Sequence, residues 1–188
     1  MAPTSHTLLQ RLKNPADPEA WSRMVFLYTP LLQDWARRSG AVGPDVNDLV
    51  QEVFVVLLRE LPRFDYDSKG SFRGWLRKVT VNKWRELRRR SGKDASAHSM
   101  EHSESSVPSE CDEFDEQEYR DHLVNRAWEL IQTDFEPVTQ AAFWQTVVLG
   151  RPTAEVAQEL GVSAVVVYQA KSRVLRCLRA ELAGLVTV

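Results

Sequence analysis

Residues 94–110 read DASAHSMEHSESSVPSE, and this stretch limits the fold more than any other feature of the chain. It holds almost no large apolar side chain, so it cannot bury enough surface to offset the entropy of ordering itself. On either side, apolar residues recur at helical spacing almost continuously. A chain built this way cannot close around one core through its middle. The expected organisation is all-α: one helical module over residues 1–93, an acidic Ser-rich linker over 94–118, and a second helical module over 119–188.

The charge distribution follows the same division. The net charge of the 188-residue chain is −2. Residues 1–93 nevertheless hold 17 Lys and Arg against 10 Asp and Glu, residues 94–136 hold 2 against 13, and residues 137–188 hold 5 against 3. Two basic ends around an acidic middle point to a polyanionic partner at both ends. Strand signals are missing: there is no long alternating segment and no Asn-Gly or Asp-Gly turn. The longest apolar runs, such as 53–58, are far short of the ~20 residues that span a bilayer. Residues 1–13 lack the apolar centre of a signal peptide, so a cytoplasmic protein without membrane insertion is expected. Cys111 lies near His98 and His102, but the segment has no fourth ligand at finger spacing and is read as binding no metal. Cys177 falls in an apolar helical stripe and is read as core.

In the first module, Trp21, Met24, Val25, Tyr28, Leu31, Leu32 and Trp35 predict a helix over 18–38, kinked or divided by Pro30. Residues 40–43 form a turn, and Asp45 is placed at the N-cap or in the first turn of a second helix. Val46, Leu49, Val50, Val53, Phe54, Leu57 and Leu61 fill one face of that helix, with Asp45, Asp48, Glu52 and Arg59 opposite. Pro62 ends it. A third helix is predicted over 71–90. Phe72, Trp75, Leu76, Val79 and Leu87 share its apolar face. Arg73, Arg77, Lys78, Arg85 and Arg88 spread over the other, with Val81 and Trp84 among them and Arg88-Arg89-Arg90 at the end. Arginines suit phosphates and an exposed Trp suits unpaired bases, so this face is read as a nucleic-acid surface.

In the second module, Leu123, Ala127, Leu130 and Ile131 mark a helix from about residue 121. Residues 139–149 mark another, with Phe143, Val147 and Val148 as core. Residues 153–172, TAEVAQELGVSAVVVYQAKS, fit a helix-turn-helix. Val156 and Leu160 form the apolar face of its first helix, and Ala157 is small where the helices approach. Gly161 allows the positive φ of a tight turn. Val162 seals the turn, and Ser163 caps the second helix. Val167 and Ala170 face inward. Tyr168, Gln169 and Ser172 face out, with Ala164 and Val165 at the tip, where a recognition helix meets the major groove.

Together these motifs resemble the extracytoplasmic-function group of bacterial RNA polymerase sigma factors. DVNDLVQEVF at 45–54 resembles the core-binding motif of sigma region two. FRGWLRKVTVNKWRELRRR at 72–90 resembles the adjoining melting and minus-ten segment, and residues 153–182 resemble region four. The resemblance implies that Asp45, Asp48, Gln51 and Glu52 meet core RNA polymerase. It implies minus-ten DNA contacts from Phe64, Lys69, Arg73, Arg77, Lys78, Asn82, Trp84, Arg85, Arg88 and Arg89, with the loop 64–71 holding a flipped base near Asn82. It implies minus-thirty-five contacts from Ser163, Ala164, Val165, Tyr168, Gln169, Lys171, Ser172, Arg173 and Arg176. The tip of the recognition helix, Ala164-Val165-Val166-Val167, is more apolar than the family's usual sequence. The acidic linker is expected to run toward the RNA exit channel.

The function implied is promoter-specific initiation by a dissociable polymerase subunit, with core polymerase and promoter DNA as partners and an anti-sigma factor as a further candidate. No catalysis, cofactor or metal is expected, because the sequence holds no phosphate loop, no nucleophile–base pairing and no ligand cluster. The principal alternative is a stand-alone helix-turn-helix regulator on duplex operators. A DNA-cleaving recombinase would need a nucleophile beside an arginine cluster, and Tyr168 sits on the reading helix instead. An interaction protein acting through its acidic linker is a further rival.

Overall fold

The computed structural model describes residues 7–64, 71–90 and 116–185. The expected linker up to residue 115, Lys69 with the rest of 65–70, and His98, His102 and Cys111 lie outside the described residues. The described elements are helices, with no strand among them. No described helix is long and apolar enough to cross a membrane. The chain divides into two compact units, Leu8–His122 with Gly184–Val188, and Leu123–Ala183 with Met1–Thr7.

The first unit begins with a single turn, α1 (Leu8–Arg11), that the apolar pattern from residue 18 onward does not announce. Leu8, Leu9 and Leu12 are buried. Arg11 forms two hydrogen bonds to Asp17, at 2.9 Å each, and a third to Glu19. Asp17 caps α2 (Pro18–Arg38) by accepting from the Ala20 N–H. The helix α2 runs through Pro30 undivided. Its buried face of Met24, Leu27, Tyr28, Leu31, Leu32 and Trp35 straddles the proline and outweighs one missing backbone bond. Val25, expected on that face, is exposed.

Gly43 is the N-cap of α3 (Pro44–Glu60), at φ 56° and ψ −130°. A side chain would strain that conformation, and this removes Asp45 from the cap and leaves it in the first turn. Val46, Leu49, Val50, Val53 and Leu57 are buried, and a 3-10 turn, Leu61–Arg63, succeeds the helix. In α4 (Phe72–Arg90), Ser71 accepts from the Gly74 N–H and caps the first turn. The buried stripe of α4 is Phe72, Leu76, Thr80 and Trp84, spaced four apart. Thr80 satisfies its hydroxyl on the Leu76 carbonyl at 2.9 Å. Phe72 packs edge-on against Tyr28 and Phe64, at 5.7 and 5.9 Å between centroids. Trp75 lies 4.8 Å from Phe64 and is half-buried.

Helix α5 (Glu116–Ile131) starts ahead of the expected residue 121, so the last three residues assigned to the linker are helical. Glu116 and Glu118 in its first turn suit the positive end of a helix dipole. The boundary between the units falls inside this helix, after His122.

In the second unit, α5 contributes Leu123, Ala127, Trp128 and Ile131 to the core. Helix α6 (Pro137–Phe143) continues as a π turn, Trp144–Val148. The extra residue of the π turn shifts the helical phase, so Val147 and Val148, expected in the core, are exposed, while Phe143 is buried. Thr146 holds the turn by donating to the Ala142 carbonyl at 2.7 Å. Helices α7 (Thr153–Leu160) and α8 (Ala164–Leu182) complete the unit. Ala142, Val156, Ala157, Val167 and Ala170 form their common core, with Leu160 and Val162 packed against it. Cys177, expected in the core, is half-buried.

Candidate nucleic-acid and protein interfaces

The helix-turn-helix forms as the sequence requires. Gly161 ends α7 at φ 65° and ψ 30°, a left-handed conformation that favours glycine. Ser163 accepts from the Val166 N–H and starts α8. Arg151 ties the entry to α7 by its ion pair with Glu159 at 2.6 Å. That bond is the main reason the Glu159 carboxyl is held below its ordinary range. With Val167 and Ala170 inside, the outer face of α8 presents Ala164, Val165, Tyr168, Gln169, Ser172, Arg173 and Arg176, all exposed. Ser163 is exposed and Lys171 is half-buried. Val165 and Tyr168 are each 61% exposed, an apolar and aromatic tip that could meet thymine methyl groups. Arg173 lies over the ring of buried Phe135, 5.9 Å from its centroid, which limits where the guanidinium can reach.

The first unit offers a different kind of surface. On α4, Lys78, Asn82, Arg85, Arg88 and Arg89 are exposed or half-buried, as is Arg77. Gly74, Trp75, Lys78, Val79 and Asn82 line an open groove of about 510 Å³. Its apolar wall is formed by Trp75 and Val79. Asn82 adds a donor and an acceptor, and Lys78 adds a cation. A groove of that composition can stack a base and hydrogen-bond its edge. Sequence reasoning takes Trp75 as core and misses its place in this groove. The available signal is its position, one turn from Lys78 and two from Asn82.

Two expected DNA contacts are core residues instead. Trp84 is 8% exposed, because the stripe of α4 runs at four-residue spacing and carries it inward. Phe64 is 3% exposed and packs on Phe72 and Trp75, so it anchors the start of the loop. Arg73 is on the expected helix but ion-paired with Glu116 at 2.8 Å, and it stacks over the Tyr119 ring at 5.1 Å.

On α3, Asp48 and Gln51 are exposed, while Asp45 and Glu52 are half-buried. Glu52 turns toward α4 and meets Lys83 at 3.3 Å. Lys83 also bonds Glu86 at 2.9 Å, and that bond is the largest cause of its raised pKa. Asp45 and Asp48 border a groove of about 310 Å³ with Trp84, Leu87, Arg88 and Arg90. The acidic face is thus open to solvent at Asp48 and Gln51 and internally engaged at Glu52.

Comparison with known proteins bears on the first of these units. Residues 24–93 match the Sigma-70 region 2 family. That span contains α3, α4 and the groove between Trp75 and Asn82. RNA polymerase sigma factor NccH of Alcaligenes xylosoxydans xylosoxydans is 34% identical over 87 residues, 46% of this chain and 46% of its own length. ECF RNA polymerase sigma factor SigE of Mycolicibacterium smegmatis is 25% identical over 160 residues, 85% of this chain and 60% of its own. RNA polymerase sigma factor CnrH of Cupriavidus metallidurans is 37% identical over 70 residues, 37% of this chain and 36% of its own. The chain thus spans about half the length of the curated relatives it matches. Residues 24–93 are thus similar to sigma region 2, and the relatives that the chain resembles are RNA polymerase sigma factors, one of them of the ECF group.

Proposed function

We propose that the chain directs core RNA polymerase to promoters and opens them by capturing unpaired bases. The observation that supports this reading is a groove on α4 lined by Trp75, Lys78 and Asn82 together with an exposed outer face on α8 of a helix-turn-helix. The groove on α4 suits a base taken out of its stack, and the outer face of α8 suits the major groove of a duplex. A simple operator-binding protein needs only the second. In this proposal residues 1–93 act as region two and residues 119–188 as region four. Asp48 and Gln51 contact the polymerase, with Asp45 beside them. Lys78, Asn82 and the basic end of α4 contact the minus-ten element, and Tyr168, Gln169, Arg173 and Arg176 contact the minus-thirty-five element. The chain itself performs no catalysis in this reading and acts in the cytoplasm, where polymerase is.

The test is co-elution with core polymerase. Asp48→Arg combined with Gln51→Arg changes charge at exposed positions, where stability usually changes by about 0.5 kcal/mol or less. Glu52 is left intact because its pairing with Lys83 would confound the result. The expected outcome is loss of co-elution with unchanged helicity by circular dichroism. Undiminished co-elution would overturn the assignment of α3 as the polymerase surface.

A further inference from the structure

Residues 116–122, the start of α5, fold onto the first unit through bonds of their own. Tyr28 is fully buried and Tyr119 nearly so, and their hydroxyls lie 2.9 Å apart. The Tyr119 hydroxyl donates to the Leu185 carbonyl at 3.1 Å, so Tyr28 is the donor between the two rings. His122 Nε2 lies 3.2 Å from the Leu27 carbonyl, which can only accept, so this nitrogen carries the hydrogen. Around this buried pair stand two ion pairs, Arg38 with Glu118 and Arg73 with Glu116, both at 2.8 Å. Arg73 is the charged residue in the FRGWL run, one turn from Arg77. Its side chain is only 17% exposed, and its guanidinium is occupied by a carboxylate and by an aromatic ring at its face.

We propose that the acidic start of α5 is an autoinhibitory latch, in which Glu116 occupies on Arg73 the place of a nucleic-acid phosphate. A carboxylate and a phosphate oxygen present the same kind of acceptor to a guanidinium, so the two compete for it. The buried tyrosine pair supplies the anchor, and the exposed ion pairs supply the part that opens. Exposed pairs are weak and screened by salt, which suits a contact that must yield to DNA. The proposal rests on the reading of α4 as a nucleic-acid surface.

The experiment measures binding of a short fluorescein-labelled A/T-rich single-stranded DNA to the full chain by fluorescence anisotropy at low salt. Glu116→Gln removes the competing charge. Asp121→Asn removes an equal charge from the same helix, where the Asp121 carboxylate accepts from Gln117 one turn earlier. Glu116→Gln is expected to tighten binding by about two- to fivefold, the range set by an exposed pair. Asp121→Asn is expected to tighten it by less. In an Arg73→Ala background the effect of Glu116→Gln should fall to that of Asp121→Asn. Equal effects of the two charge removals, or a Glu116→Gln effect that survives without Arg73, would overturn the latch and leave the α4 surface standing. Absence of binding by every variant would overturn the α4 surface and the latch together.

Discussion

Helices α4 and α8 both carry basic and aromatic residues, yet one yields its outer face to sequence reading and the other does not. In α8 the phase is set by neighbours in the chain. Gly161 fixes the turn, Ser163 fixes the first residue, and Val167 and Ala170 can only face the helix just before. In α4 the phase is set by distant partners. Tyr28, Phe64 and the start of α5 decide which side is covered, and arginines surround the helix so that no polar stripe stands out. The inward stripe is Phe72, Leu76, Thr80 and Trp84, where the sequence alone suggests Val79 and Leu87. Locally specified helices disclose their surfaces, whereas helices specified by tertiary packing do not.

The sharpest way to break this comparison is to exchange the aromatic residues for alanine. Trp84→Ala should destabilise the chain by about 3–5 kcal/mol in guanidinium unfolding, as loss of a packed Trp does. Tyr168→Ala, on the outer face of α8, should change stability by about 0.5 kcal/mol or less. Similar values for the two would mean that Trp84 is not held in a core. A smaller effect separates roles within α8. Gln169→Ala should alter preference at one base position by roughly 1–3 kcal/mol in a duplex library. Arg176→Ala should instead weaken all sequences alike and lower the salt slope by about 1. Identical behaviour of the two across the library would remove Gln169 as a base reader.

The smallest effect concerns the tie between α1 and α2. Hydrogen bonds from Arg11, and then from the Ala20 N–H, lower the Asp17 pKa from 3.8 to about 2. A carboxylate whose pKa is depressed by folding contributes stability above its unfolded pKa, and that contribution fades as pH falls through the folded value. Stability should therefore decline between about pH 4 and pH 2, and Arg11→Ala should flatten that decline in thermal melts across the same range. A variant as acid-sensitive as the parent would show that the tie does not stabilise the first unit.

Much of the fold is legible in the sequence because apolar spacing and caps act locally. The helix-turn-helix, its glycine and its cap are all readable, as is the all-α class. The misreadings have particular causes. The stripe of α2 carries the helix through Pro30 undivided, and of the two places offered for Asp45 in α3 it takes the first turn, with Gly43 at the cap. The π turn at Trp144–Val148 cannot be read from a 3.6-residue period, so Val147 and Val148 fall on the wrong side in any reading by that period. Among the proposed site residues, Asp48, Tyr168 and Gln169 are exposed, and Lys78 and Asn82 line the groove on α4. Phe64 and Trp84 mislead because an aromatic residue beside arginines reads equally well as a stacking surface and as core. Tyr119 and its bond to Tyr28 escape sequence reading, since a contact across 91 residues leaves no local pattern.

In the proposed function one chain joins polymerase recruitment to promoter reading. The most direct measurement is run-off transcription by purified core polymerase on a promoter library, with and without the full chain. The account predicts transcripts that depend on the chain and start downstream of a shared pair of elements, and that disappear with Asp48→Arg plus Gln51→Arg. Duplex binding by the chain without any chain-dependent transcript would contradict it, and would leave a helix-turn-helix regulator in its place.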